Sequence, residues 1–77
     1  MPPGFPPLSF RKLLRIVERH ADHVRTNGSH MTYRSKKTQL TFTFARRNKD
    51  YGGGLVRKIL TKDLGLDLST AREEVNK

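Results

Sequence analysis

His23-Val-Arg-Thr-Asn-Gly-Ser-His-Met-Thr-Tyr-Arg34 is the stretch whose reading decides the fold, because it holds two alternating runs around a turn dipeptide. Asn27-Gly28 suits a type I′ hairpin turn, which needs positive φ at both central positions. A two-residue turn there pairs Thr26 with Ser29, Arg25 with His30, Val24 with Met31 and His23 with Thr32. Alternation then sends Val24, Met31 and Tyr33 into a core and leaves His23, Arg25, His30, Thr32 and Arg34 on an opposite, polar face.

Working outward, Gln39–Ala45 alternates strictly, with Leu40, Phe42 and Phe44 on one side and Thr41 and Thr43 on the other. Closing Ser35-Lys36-Lys37-Thr38 symmetrically pairs Tyr33 with Leu40, Met31 with Phe42 and His30 with Thr43. Three strands then share one apolar face, which requires helices laid upon it. The first runs from a Ser9 cap through Ala21, with Phe10, Leu13, Leu14, Val17 and Ala21 on one face and Ile16 off the stripe. The second is Leu55–Leu64, with Leu55, Val56, Ile59, Leu60 and Leu64 apolar, closed by Gly65 and a Leu66 contact. The expected fold is α+β, in the order α-β-β-β-α, a three-stranded antiparallel sheet with two helices packed on one face.

Outside that unit, residues 1–8 read as a flexible proline-rich arm, since proline has no backbone donor and restricts φ. Residues 67–77 form a polar tail, a short helix or a frayed end, in which Thr70-Ala-Arg-Glu73 has capping-box spacing. Arg46–Gly54 reads as a basic connector; its three glycines lack both the dinucleotide fingerprint and the P-loop lysine.

The 77 residues carry a formal net charge of +9, with 34% hydrophobic and 30% charged residues. The charge is localised: residues 1–49 hold eleven Lys/Arg against two acids, and residues 50–77 hold five of each. A field of that density attracts polyanions, nucleic acid first, and the sequence pI near 10.7 agrees. No run approaches the roughly 20 apolar residues of a spanning helix. The start, with four prolines in its first seven residues and no charge, is unlike a signal peptide. The expectation is a cytoplasmic protein with no membrane partner; the absence of cysteine fits a reducing compartment.

Cleaving RNA without a metal requires a group to take the 2′-hydroxyl proton, one to protonate the leaving oxygen, and cations to stabilise the charge on phosphorus. His30 is the candidate acid or base, since imidazole titrates near neutrality. Arg25 across the ladder could hold the phosphate, with Arg34 and Thr43 as further candidates. The competing reading of His30 is a solvated strand residue. His20, at a helix C-terminus, reads as a cap against the dipole, and a metal site from His20, His23, Asp22 or Glu18 is rejected because helix and strand would not converge. Arg11, Lys12 and Arg15 on the first helix are candidate phosphate contacts, since from Arg11 to Arg25 five basic residues oppose only Glu18 and Asp22.

The order helix, strand, Gly28-Ser29-His30, strand, strand, helix resembles the HicA toxins, small mRNA interferases of bacterial toxin–antitoxin pairs. Val24-Arg25, Met31-Thr32-Tyr33-Arg34 and Gly54-Leu55-Val56-Arg57-Lys58-Ile59-Leu60 through Leu64-Gly65-Leu66 carry the resemblance, which covers Ser9–Leu66. It implies a double-stranded-RNA-binding-domain-like fold over residues 9–66, His30 as the catalytic histidine, cleavage of mRNA with no metal or other cofactor, and a HicB-type antitoxin as partner. Ser29, Arg25, Arg34, Arg11, Lys12 and Arg15 would contact RNA, with Asn27 and Gly28 forming the turn. The chain departs from the family at Thr43-Phe44-Ala45-Arg46-Arg47, at Gly52-Gly53-Gly54 and in its polar tail. The alternative is a non-catalytic basic RNA-binding module of the same fold, and a third reading is a protein that binds an acidic partner.

Overall fold

Ser9 starts the first helix, α1 (Phe10–His20), by accepting the Lys12 amide at 3.2 Å. The computed structural model describes residues 4–77 and continues through β1 (Ala21–Asn27), β2 (His30–Ser35), β3 (Thr41–Ala45), α2 (Gly53–Lys58), a π-helical turn (Ile59–Asp63) and α3 (Leu68–Val75). The sheet is antiparallel in the order β1-β2-β3. Tyr33, Ser35 and Phe44 are buried on the helix-covered face, with Met31 and Phe42 packed against the same core. No helix among the described residues is long and apolar enough to cross a membrane.

The hairpin turn lies one residue later than expected. Gly28, at φ +65°, and Ser29 are its central residues, and Asn27 pairs with His30. Only the first of the two has positive φ, the pattern of a type II′ turn, which glycine satisfies alone. Arg25 therefore pairs with Thr32, not His30, and Thr26 with Met31. Each partner moves by two residues, so Arg25 and His30 keep their common face.

Beyond Arg25 the pairing jumps to His23 opposite Tyr33, leaving Val24 in a β-bulge that turns over the rest of β1. His23, expected on the polar face, is on the helix side instead: its ring meets Tyr33 edge-on at 5.3 Å and its Nε2 lies 2.6 Å from Thr26 Oγ1. Val24, expected in the core, is 41% exposed. The second loop differs as well. Residues 36–40 are a longer connection in which Gln39 takes φ +64°, so Tyr33 pairs with Phe42, Met31 with Phe44 and His30 with Ala45, and Leu40 is left 69% exposed. A displacement of two residues again preserves the faces.

Ile16 is buried although it lies off the expected stripe, because α3 lies against α1 and gives that helix a second covered side. The tail is helical. Asp67, not Thr70, caps α3, accepting from the Thr70 amide at 3.3 Å and its hydroxyl at 2.6 Å, and Ala71 and Val75 are buried. Leu8, assigned to the arm, is buried and exchanges two backbone hydrogen bonds with Tyr51, at 3.0 and 2.7 Å; the arm's first three residues lie outside the described ones. The π turn, closed by the Leu64 amide on the Ile59 carbonyl at 2.9 Å, delivers the Leu64 carbonyl to the fully buried Ser35 hydroxyl at 2.8 Å. Gly65 follows at φ +75° against the Thr38 methyl, a position closed to any side chain.

Candidate nucleic-acid interface

Strand alternation and the observed register set out the uncovered sheet face in three rows: Asn27, His30 and Ala45 nearest the turn, then Arg25, Thr32 and Thr43, then Asp22, Arg34 and Thr41. His30 is exposed between a carboxamide and a methyl group. Arg25 is its diagonal neighbour, roughly 7–8 Å away between backbones and within reach of a long side chain. Thr43 occupies the same diagonal relation from the other strand. Arg34 stands two rows off, about 13 Å along the strand, so it faces a different part of any bound polymer. Ser29 belongs to the turn, where its carbonyl accepts the Arg46 amide at 2.8 Å.

Arg11, Lys12 and Arg15 are not on this face. They line a groove of about 390 Å³ on the helical side, together with Ser9, Ile16, Arg19, Glu74 and Lys77. The expected contacts therefore divide between two surfaces of one molecule. His20 and His23 point to different neighbours, Glu74 and Tyr33 respectively. Among the described residues no group of three His, Cys, Asp or Glu side chains is arranged to hold a metal ion.

Three residues near His30 escaped the sequence reading. Asn27, taken only as a turn former, is its cross-strand partner. Arg46 and Arg47 end an aromatic column: Phe10 stacks on Phe44 at 5.3 Å, Phe44 stacks on Tyr51 at 5.4 Å, the Arg46 guanidinium lies 5.7 Å from the Phe10 ring centre and that of Arg47 lies 4.6 Å from Tyr51. The Tyr51 hydroxyl donates to the Ala45 carbonyl, which ties the column to His30's partner. Burial raises the Tyr51 pKa and the Arg47 charge opposes it without reversing the shift. The signal for these arginines was their position directly after an aromatic-rich strand.

The distal end of the sheet is built differently. Glu74, its side chain 4% exposed, takes Arg19 at 2.5 and 2.9 Å and Lys77 at 3.1 Å, with His20 Nε2 3.4 Å away. Burial alone would raise this carboxyl, but hydrogen bonds from Arg19 and Lys77, the nearby His20 ring and the Arg19 charge prevail and hold it at about 2.

A comparison with protein-family models finds no match for this chain, and neither the curated proteins nor the solved structures compared with it contain one.

Proposed function

We propose that the chain is a metal-independent endoribonuclease of the HicA kind, a toxin that cleaves mRNA and is neutralised by a HicB-type antitoxin. The observation that carries this is an exposed histidine beside the hairpin turn, on the one sheet face that no helix covers, with an arginine on its diagonal. His30 takes the 2′-hydroxyl proton, the freed oxygen attacks the adjacent phosphorus, and the 5′ oxygen departs with a proton from solvent. A cyclic phosphate and a 5′-hydroxyl end result. Arg25 stabilises the charge gathering on the phosphoryl oxygens, and the remaining cations of α1 draw RNA to the molecule through its field. An antitoxin laid over the open face would cover Arg25 and His30 and exclude RNA from them.

One observation favours a second reading, a non-catalytic RNA-binding module: neither Asn27 nor Ala45, the two residues flanking His30 in its row, titrates. Incubation of the purified protein with RNA in the presence of a chelator separates the two. The ribonuclease reading expects cleavage that falls by roughly 10²-fold or more in His30→Ala, at a thermal stability within about 0.5 kcal/mol of the parent because the position is exposed. Full cleavage by His30→Ala would contradict it, and RNA bound but uncut by the parent protein would favour the module.

A further inference from the structure

Arg46 and Arg47 lack the usual reason for two exposed cations to be held still. All ion pairs among the described residues are made by Glu74, so neither arginine has a carboxylate within pairing distance. Each is positioned instead by an aromatic ring, at opposite ends of the Phe10–Phe44–Tyr51 column, and both remain exposed. Behind them the backbone is pinned: the Arg46 amide donates to the Ser29 carbonyl, and Tyr51 is tied to Leu8 and to Ala45. These contacts join the column to the hairpin turn and to the strand residue opposite His30.

A guanidinium resting on an aromatic ring keeps part of its plane and its donors available. That plane stacks on a nucleobase while the N–H groups reach phosphate oxygens. Bases in a duplex have no free face to offer, whereas every unpaired base does. We infer that Arg46 and Arg47, mounted on the two ends of the aromatic column, form a binding site for single-stranded RNA in which unpaired bases stack on the guanidinium groups. The inference rests on the ribonuclease reading only for what happens next: the column lies with Phe44 on the helix-covered side, and a strand gripped there reaches His30 by passing over the hairpin turn. It makes unpaired RNA, not A-form duplex, the substrate class.

The test uses the full chain carrying His30→Ala, which leaves RNA uncut, and a single-stranded RNA containing 2-aminopurine, whose fluorescence changes on stacking. The expected result is a fluorescence change on binding that disappears in the Arg46→Ala/Arg47→Ala double variant, with affinity for single-stranded RNA about tenfold or more weaker. Arg46→Lys/Arg47→Lys keeps both charges on the column and so guards against loss of fold, which a melting curve checks. That variant should retain the salt dependence of binding and lose the fluorescence change. A duplex of equal length should bind more weakly and respond little to either variant. Unchanged fluorescence in the lysine variant, equal affinity for duplex, or capture of an acidic protein with no RNA binding would each overturn the inference. The ribonuclease reading fails separately. If the His30-bearing parent never cleaves RNA while the stacking signal depends on both arginines, the site stands and the reading falls; undiminished cleavage by the double alanine variant means the reverse.

Discussion

The two ends of β2 are made to opposite specifications. At the Ser35 end, polar groups are buried among partners: the Ser35 hydroxyl donates to Leu64 and accepts the Lys37 and Thr38 amides at 3.2 and 3.1 Å, and nearby Glu74 takes Arg19 and Lys77, with His20 Nε2 3.4 Å away. At the His30 end, His30 and Asn27 are exposed, and the cations that follow β3 rest on aromatic rings with no acidic partner. Buried, paired polar groups hold a small fold in one arrangement, and exposed, unpaired ones leave donors and charge free for a ligand. In six residues β2 passes from the anchor of the fold to its candidate site.

The largest effect expected from breaking this contrast is at Glu74. Its carboxyl falls from 4.5 to about 2 on folding, worth on the order of 3 kcal/mol. Because the folded value is the lower one, this stabilisation is complete above about pH 4.5 and is lost as the pH falls through 2. Glu74→Gln should therefore destabilise by about 1–3 kcal/mol at neutral pH, the loss being limited because Arg19 is 45% exposed and can return to water. It should also flatten the acid limb of the stability–pH curve, read by denaturant melts between pH 2 and 7. An unchanged acid limb would remove Glu74 from the anchor.

Next in size is Ser35→Ala. It strips the Leu64 carbonyl of a buried donor and two loop amides of their acceptor, so a loss of about 1–2 kcal/mol is expected in urea melts. RNA binding at the opposite end should be unaffected in the folded protein. The smallest effect is at Val24, a bulge residue turned to solvent. Val24→Thr should change stability by no more than about 0.5 kcal/mol; a loss above 1.5 kcal/mol would mean that the bulge is absent in solution.

The contrast also shows what the sequence made legible. Binary alternation was enough for β2, β3 and their faces, since Tyr33, Phe42 and Phe44 can share a buried side in only one parity. The turn was misplaced because Asn27-Gly28 and Gly28-Ser29 are both good hairpin dipeptides, and choosing between I′ and II′ depends on pairing energies farther along the strands. The bulge at Val24 was invisible for a similar reason. His23 and Val24 trade places in the alternation, and the histidine ring then meets Tyr33 edge-on. The anchor at Ser35 and Glu74 was missed since its contacts span 29 and 55 residues of sequence. His30 was legible as a strand residue beside a turn; its neighbours Asn27, Ala45, Arg46 and Arg47 became visible only with the register.

The most direct measurement of the division between the two ends is a titration of the isotope-labelled His30→Ala protein with single-stranded RNA, followed by backbone amide NMR shifts. The account predicts the largest changes at residues 27–30 and 45–47, smaller ones at the outward cations of α1, and little at Ser35 and Leu64. Changes centred on Ser35 and Leu64, with residues 27–30 and 45–47 silent, would contradict it.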